Sequence, residues 1–277
     1  MRVAFLGPAG TYNADALSQA APSGGYEPLA AATVHDAILA VERGEADRAL
    51  VPFENSIEGT VRPTLDTLAH DAESVAIVGE FDYAVHHSLI ARREMPLAEI
   101  AAVLSHPQAH AQCARFLRES VPAAEVRPVD STAEAVRIVA QSDQPWAALG
   151  SHAAAELYGG VVLRDGVEDD PGNVTRFVWI APRGTAAEGT GLWKTSLVFS
   201  ELGEDHPGAL VEALVEFSGR EINLTRIESR PLRRGLGRYM FFIDLEGSAT
   251  DGLVAEAIEG LRGKADSVRI LGSYPTG

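Results

Sequence analysis

Residues 131–150 read STAEAVRIVAQSDQPWAALG, a helical segment that leads directly into a strand. Ser131 and Glu134 have the spacing of a capping box, and the apolar residues that follow them recur at helical intervals. Residues 147–149 form a short apolar run typical of a buried strand. A helix followed at once by a buried strand is the repeating unit of α/β proteins. This stretch therefore predicts an α/β fold with a mostly parallel sheet.

The same alternation runs through the first 182 residues. Further strands are predicted at residues 3–6, 49–51, 75–80, 101–104 and 177–181. Thr33 and Asp36 mark a second helix start. Residues 182–191, PRGTAAEGTG, are small and polar without periodicity, which is typical of a linker. We expect one domain over residues 1–182, a linker over 183–194 and a second domain over 195–277.

The second domain has a different rhythm. Strands are predicted at residues 195–200, 222–227, 239–245 and 267–271. Pro207 is expected to open a helix with apolar residues on one face, and residues 253–261 carry the apolar stripe of a second helix. The resulting order, βαββαβ, is the ferredoxin-like unit. Its length suits a small separate domain.

Composition excludes several classes of function. The chain of 277 residues carries 39 acidic and 23 basic residues, a net charge of −16, which disfavours binding to nucleic acid or an anionic membrane. Its single cysteine, Cys113, excludes an internal disulfide framework. No apolar run reaches the length of a membrane span, and the opening residues lack the pattern of a signal peptide, so a cytoplasmic protein is expected.

Four polar segments stand next to predicted strands. The carboxyl ends of such strands are where α/β sheets bind ligands. Helix capping, turn formation or a surface position remains an alternative for each residue. His106 and His110 have the spacing of a metal pair, but no further ligand cluster completes it, so no metal is expected. The segments are GPAGTY (7–12), VPFENSIEGTV (51–61), SHPQAHAQC (105–113) and GNVTRFVWI (172–180).

Taken together, these segments resemble the prephenate dehydratase family. The order of the GPxGT turn, ENSxxG, SHPQxxxQC, DSTAEA, AALGSHAAAELYG and NxTRF matches the family over nearly the whole chain. Residues 11–13 read TYN where the family usually has TFS, and His110 stands where an apolar residue is common. The C-terminal part resembles an ACT regulatory domain through GALV at 208–211 and ESRP at 228–231.

The resemblance implies a bilobed catalytic domain similar to periplasmic binding proteins, followed by the ferredoxin-like ACT domain. The chain would cross between the lobes twice, with one lobe formed by about residues 1–77 and 160–182 and the other by 78–159. It also implies decarboxylative dehydration of prephenate to phenylpyruvate without a cofactor, and feedback inhibition by L-phenylalanine. A homodimer or homotetramer is expected.

The resemblance assigns roles to particular residues. Thr175 would be the catalytic group that donates to the departing hydroxyl. The substrate would be bound by Thr11, Asn55, Ser56, Ser105, Gln112 and Arg176, although a structural ion pair is an alternative for Arg176. Phenylalanine would bind between two ACT domains, at Gly208, Ala209, Leu210, Val211, Asn223, Leu224, Glu228, Ser229, Arg230 and Pro231.

Two other functions remain open at this stage. A solute sensor could use the same bilobed fold without catalysis, and a cyclohexadienyl dehydratase could accept arogenate as well. The expected absence of an export signal argues against a transport component, and the ACT motifs favour the prephenate enzyme.

Overall fold

The chain folds into two α/β lobes and a C-terminal domain. The computed structural model describes residues 1–21, 25–203 and 207–276. The first lobe opens with alternating strands and helices. Its elements are β1 Arg2–Leu6, α1 Tyr12–Ala20, β2 Glu27–Ala31, α2 Val34–Glu42, β3 Arg48–Asn55, β4 Gly59–Thr60, α3 Arg62–His70 and β5 Val75–Ala84.

The second lobe follows, and one long strand then returns the chain to the first. These elements are β6 Ser88–Ala91, a 3₁₀ turn Leu97–Glu99, β7 Ala102–Ser105, α4 Pro107–Gln112, α5 Ala114–Ser120, β8 Glu125–Pro128, α6 Thr132–Ala140, β9 Trp146–Gly150, α7 His152–Tyr158, β10 Val161–Arg164 and β11 Val174–Pro182. None of the helices in the described ranges combines the length and apolarity needed to cross a membrane.

The predicted α/β class and bilobed arrangement are confirmed, but the expectation of mostly parallel sheets is wrong. The first lobe has the strand order β5-β11-β3-β1-β2, and β11 runs antiparallel to both β3 and β5. The second has the order β10-β6-β9-β7-β8, with antiparallel pairing on both sides of β6. The reason is topological, because β5 leaves the first lobe and β11 re-enters it in the opposite direction. The crossing lies after Ala84, beyond the expected residue 77, which falls inside β5.

Local capping signals fixed several helix starts. Ser131 accepts a hydrogen bond from the Glu134 backbone N–H (3.0 Å), and Thr33 does the same for Asp36 (3.0 Å). Helix α4 has Pro107 as its first residue and ends at Gln112, so that Cys113 lies buried at the junction with α5.

The C-terminal domain has the predicted βαββαβ order. Its elements are β12 Trp193–Ser200, α8 Ala209–Ser218, β13 Leu224–Pro231, β14 Tyr239–Glu246, α9 Gly252–Arg262 and β15 Ser267–Pro275. Two boundaries differ from expectation. Helix α8 is capped by Gly208 (φ +100°) and is not opened by Pro207, and β13 starts two residues later than predicted and runs on to Pro231.

The C-terminal domain shares part of its hydrophobic core with the first lobe. Helices α8 and α9 cover only one face of the four-stranded sheet. The other face contributes Val198, Phe242 and Tyr274 to the same core cluster as the first lobe. At one edge β15 pairs with β5 through Gly272 and Ile77, where a Cβ at Gly272 would lie 2.2 Å from the Ile77 carbonyl oxygen. The two sheets are thereby continuous.

This shared core leads to a prediction about truncation. A fragment of residues 1–182 should aggregate or expose apolar surface, because it loses the side chains that cover the first lobe. Dye binding and size-exclusion chromatography of the fragment measure this. As a control, proteolytic cleavage within the exposed linker of the full chain should leave the two pieces associated. A soluble, monodisperse 1–182 fragment with native circular dichroism would contradict the prediction.

Candidate active site

A cavity of about 770 Å³ lies between the two lobes. The first lobe contributes the ends of β1, β3 and β11 and the start of α1, and the second contributes the starts of α4 and α6. Three carboxylate residues belong to the lining, Glu58, Asp130 and Glu134, and no lysine or arginine of the described chain does. A ligand held here therefore meets neutral donors and helix N-termini.

Thr175 and Asn55 form the central pair of the cavity. They are direct neighbours on β11 and β3, and Asn55 Nδ2 donates to Thr175 Oγ1 (2.9 Å). The amide orientation is fixed because Asn55 Oδ1 accepts from the backbone N–H groups of Ile57 (3.0 Å) and Glu58 (2.9 Å). Thr175 Oγ1 thus accepts one hydrogen bond within the protein. Its own proton has no hydrogen-bond acceptor among residues 1–21, 25–203 and 207–276, and it is available to a ligand.

A chain of hydrogen bonds extends from this pair across the cavity. Asn55 Nδ2 also contacts Asn173 Oδ1 (2.8 Å), and Asn173 Nδ2 donates to Gln112 Oε1 (3.2 Å). The other end of Gln112 donates to Glu58 (3.2 Å), and this bond joins the two lobes. Gln112 Oε1 also pairs with His87 Nε2 (2.9 Å). The network orients the amides that face the cavity.

His87 is buried and lies at the first crossing between the lobes. Because Gln112 Oε1 is an acceptor, His87 Nε2 carries the proton, and His87 Nδ1 then accepts from the Tyr12 hydroxyl (2.6 Å). Burial lowers the pKa of His87 below its ordinary range. Burial also raises the pKa of Tyr12 well above its usual value. Both groups are therefore neutral near pH 7.

We expect His87 to stay neutral, with its proton on Nε2, at pH values where an ordinary imidazole is protonated. In the unfolded chain the imidazole of residue 87 would take up a second proton near pH 6.5 and become charged. Acidification below that value should therefore destabilise the folded protein, which keeps this imidazole neutral. Nitrogen NMR shifts of the labelled imidazole measure its tautomer and its pKa. A His87 pKa at or above the ordinary imidazole value, or a proton on Nδ1, would be inconsistent with the network.

The structure brings together four of the residues expected to form the site. Thr11, Asn55, Gln112 and Thr175 line the cavity. Thr11 also caps α1, where its hydroxyl donates to the Pro8 carbonyl (2.9 Å).

Two expected donors do not reach the cavity, and their assignment is corrected. The Ser105 hydroxyl is fully buried and donates to the Leu149 carbonyl (2.9 Å). Ser56 is exposed and its hydroxyl accepts from the Val174 N–H (2.9 Å), which holds the start of β11 on β3. His110, whose role was open, is buried and contacts the Val103 carbonyl through Nε2 (3.2 Å), so it belongs to the packing of the second lobe.

The prediction that Arg176 binds the substrate is also wrong. It follows Thr175 on β11, and alternation along a strand turns its side chain to the opposite face. There it pairs with Glu80 and Asp244 (both 2.7 Å) at the boundary with the C-terminal domain. Burial disfavours its charge, but Tyr274, Asp244 and Glu80 raise its pKa overall. The alternative of a structural ion pair describes this residue correctly.

Comparisons with known proteins agree with the geometry. The family model described as "Prephenate dehydratase" matches residues 3–185, and that of the ACT domain matches residues 201–263. A curated prephenate dehydratase from Mycobacterium marinum is 40% identical over 284 residues, which span 100% of this chain and 89% of the relative.

The chain belongs to the prephenate dehydratase family. A solved prephenate dehydratase from Arthrobacter aurescens, in complex with L-Phe, is 39% identical with a TM-score of 0.91, over 99% of this chain and 90% of that one. GqqA, described as a quorum-quenching acylase, is 32% identical with a TM-score of 0.88, over 100% of this chain and 98% of that one. The resemblance found in the motifs is thereby confirmed.

The residues expected to bind phenylalanine lie at the start of α8 and on or just before the edge strand β13. Gly208 is the N-cap of α8, with open space where a Cβ would be, and 209–211 form the first turn. Asn223 precedes β13 and donates to Glu246 (3.0 Å), and 228–231 end β13 at the sheet edge. Arg230, however, turns toward the first lobe and forms an ion pair with Asp66 (2.7 Å).

His87 and Asn173 complete the site, and neither was among the residues assigned from sequence. Asn173 was visible in the NxTRF segment, where its place beside Thr175 and its amide character were a usable signal. The adjacent histidines at 86 and 87 offered a weaker one. Within the described ranges, no group of three or more His, Cys, Asp or Glu side chains is arranged to hold a metal.

Proposed function

We propose that this chain converts prephenate to phenylpyruvate, with Thr175 donating a hydrogen bond to the departing ring hydroxyl. The reaction takes up one proton and releases water and carbon dioxide, and aromatisation of the ring drives it. The observation that supports this most is the free proton of Thr175, whose oxygen is already polarised by Asn55 (2.9 Å). A threonine hydroxyl is a weak acid, so hydrogen bonding and positioning carry its effect.

The two carboxylates of prephenate need donors that the cavity supplies without lysine or arginine. Thr11, Asn55 and Gln112 are candidates for neutral donors, and the N-termini of α1 and α6 face the same space. The carboxylates in the lining are partly neutralised, since Glu134 pairs with Arg137 (2.6 Å). We propose that the two lobes form one catalytic domain that encloses the substrate.

An acylase activity like that described for GqqA finds less support in this geometry. Acyl transfer by a hydroxyl nucleophile needs an adjacent base that accepts its proton. The group hydrogen-bonded to Thr175 is an amide, which donates to it, and His87 is held between Tyr12 and Gln112. The cavity is therefore better suited to a hydrogen-bond donor than to an activated nucleophile.

We further propose that L-phenylalanine inhibits the enzyme by binding between two ACT domains of a homodimer or higher oligomer, in the cytoplasm. Strand β13 is the edge of the sheet, and such an edge is open to pairing with another chain. Ile227 on β13 is 49% exposed, as are Val211 (63%) and Val215 (53%) on α8. A second ACT domain placed along β13 would cover this apolar surface.

The Gly208→Leu variant should bind phenylalanine poorly and lose most inhibition. The positive φ of Gly208 (+100°) and the open space beside it allow a ligand to approach the backbone, and a leucine would fill that space. Titration calorimetry with phenylalanine measures the loss. Gly235→Leu is the matched control, because Gly235 also has a positive φ (+104°) and open surroundings but lies outside the proposed site. Unchanged phenylalanine binding in Gly208→Leu would place the effector elsewhere.

Product identification tests the proposed activity. Purified full-length protein is incubated with prephenate or with arogenate, in chelator, with and without phenylalanine, and the products are identified by mass spectrometry. We expect phenylpyruvate from prephenate, slower turnover of arogenate and inhibition by phenylalanine. Binding of prephenate without turnover would favour a solute sensor, and equal turnover of arogenate would favour a cyclohexadienyl dehydratase.

A further inference from the structure

The strand pair that carries Thr175 has two functional faces. On β11 and β3, Thr175 lies opposite Asn55 and Arg176 lies opposite Glu54. Because side chains alternate along a strand, the first pair faces the cavity and the second faces the ACT domain. One peptide unit therefore separates the group proposed for catalysis from the domain boundary.

Arg176 is held mainly by the ACT domain. Its Nε donates to Glu80 of the first lobe, while Nη1 donates to Asp244 and Nη2 to the Tyr274 hydroxyl, each at 2.7 Å. Ser196 joins these anchors, with contacts of 2.6 Å to Asp244 and 2.7 Å to Tyr274. The side chains of Arg176, Glu80 and Asp244 are only 12%, 7% and 1% exposed. We call these five residues the Arg176 cluster.

Strand β13, which bears the ESRP segment, contacts the same boundary between the first lobe and the ACT domain. Arg226 on β13 donates to Thr60 (2.8 Å) and lies 3.7 Å from Glu54, the same distance as Arg176. Both guanidinium groups stand 5.0 Å from the centre of the Phe53 ring. A displacement of β13 or of the ACT sheet would therefore change the contacts of both Arg176 and Glu54.

An irregularity in β11 allows such a displacement to turn Thr175. The pairing register between β11 and β3 shifts between Arg176 and Phe177. Irregularities of this kind bend a strand locally and change the direction of a neighbouring side chain. Beyond it, Phe177 and Val178 are buried and fixed in the core. Movement of the guanidinium would thus be taken up at residues 175 and 176.

We propose that Arg176 is a positioning residue through which the ACT domain sets the direction of the Thr175 hydroxyl. Asp244 and Tyr274 hold Arg176, Arg176 holds the start of β11, and effector binding changes turnover by shifting these two anchors. This inference rests on the proposed dehydratase activity and its inhibition by phenylalanine.

Two full-length variants on the ACT side test the proposal without altering the cavity. Tyr274→Phe removes only the hydroxyl that binds Arg176, and Asp244→Asn removes the charge that faces it. For both we expect kcat with prephenate to fall about fivefold or more, KM to stay within about twofold, and phenylalanine to bind about as in the wild type. The effect of saturating phenylalanine, typically about 5–150-fold for coupled sites, should shrink to about twofold or less.

Lys194→Gln is the matched control. Lys194 lies at the same boundary and donates to both oxygens of Glu80 (2.8 Å each), and in the described part of the chain its hydrogen bonds go to that residue. A general weakening of the domain boundary would affect this variant equally, whereas the proposal expects wild-type kcat and inhibition. Arg176→Lys, which keeps the charge but loses the planar fork, should behave like Tyr274→Phe.

The outcomes separate this inference from the function on which it rests. If the wild type turns over prephenate and responds to phenylalanine, but Tyr274→Phe and Asp244→Asn respond as fully as the wild type, the role of Arg176 is overturned and the activity stands. The same holds if Lys194→Gln loses as much inhibition as they do. If the wild type neither forms phenylpyruvate nor responds to phenylalanine, the proposed function fails first. Should Asp244→Asn not fold, Tyr274→Phe decides alone.

Discussion

The Thr175→Ala variant should lose about two to three orders of magnitude in kcat with prephenate while remaining folded. A hydrogen bond realised mainly in the transition state contributes about 3–4 kcal/mol. The Thr175 side chain is partly exposed to the cavity, so its truncation opens no core space. Steady-state kinetics and thermal unfolding, measured on the same preparation, separate lost chemistry from lost structure.

Thr175→Ser is the informative companion, since it keeps the hydroxyl and loses only a methyl group. We expect it to recover most of the turnover. Thr250→Ala, on the surface of the ACT domain, controls for removal of a hydroxyl elsewhere. Turnover of Thr175→Ala within about fivefold of the wild type would exclude Thr175 from the mechanism.

The Asn55→Asp variant should be impaired at least as severely, with a fall in kcat of about 100-fold or more. A carboxylate can still accept from the backbone N–H groups of Ile57 and Glu58, so the local fold should persist. It cannot donate to Thr175, and it would instead accept the threonine proton that the substrate needs. Its negative charge would also repel the prephenate dianion, so KM should rise as well.

Asn223→Asp is a suitable control for Asn55→Asp, because it makes the same chemical change in the ACT domain. Its turnover without phenylalanine should match the wild type. Lowering the pH toward the pKa of the carboxyl group introduced at position 55 should partly restore activity of Asn55→Asp, since a protonated carboxyl can again donate. A variant with wild-type kcat at pH 7 would show that the amide of Asn55 is dispensable.

Strand alternation argues against one of the site assignments on the sequence alone. The motif places Thr175 and Arg176 side by side, which suggests a shared site. On a strand, however, adjacent residues point to opposite faces, so only one of them can face a cavity. Whether Arg176 would face solvent or another domain depends on long-range packing, and no local signal decides it.

One sequence pattern does indicate that the C-terminal sheet packs against another domain, although the linker composition suggests separation. Residues 239–243, YMFFI, are apolar at successive positions, which is typical of a strand covered on both faces. In the structure Met240 and Phe242 pack on the first lobe, and Ile243 packs under α8 and α9. The flexible composition of residues 182–191 indicates a mobile connection but carries no information on how the sheets meet.

Capping and periodicity predicted the helices well because these signals are local. Ser131 and Thr33 each cap the helix expected there. The hydrogen-bond chain from Asn55 through Asn173 and Gln112 to His87 joins four separate segments. Such a network depends on the closure of two lobes, and spacing along the chain does not specify it.

The most direct measurement is a crystal structure of the Thr175→Ala variant soaked with prephenate, which this variant should consume slowly. We predict that the substrate occupies the cavity between the lobes, with its ring hydroxyl about 3 Å from the position that Thr175 Oγ1 occupies in the wild type. Its carboxylates should contact the N-termini of α1 and α6. Prephenate bound outside this cavity, or with its ring hydroxyl turned away from residues 55 and 175, would contradict the account.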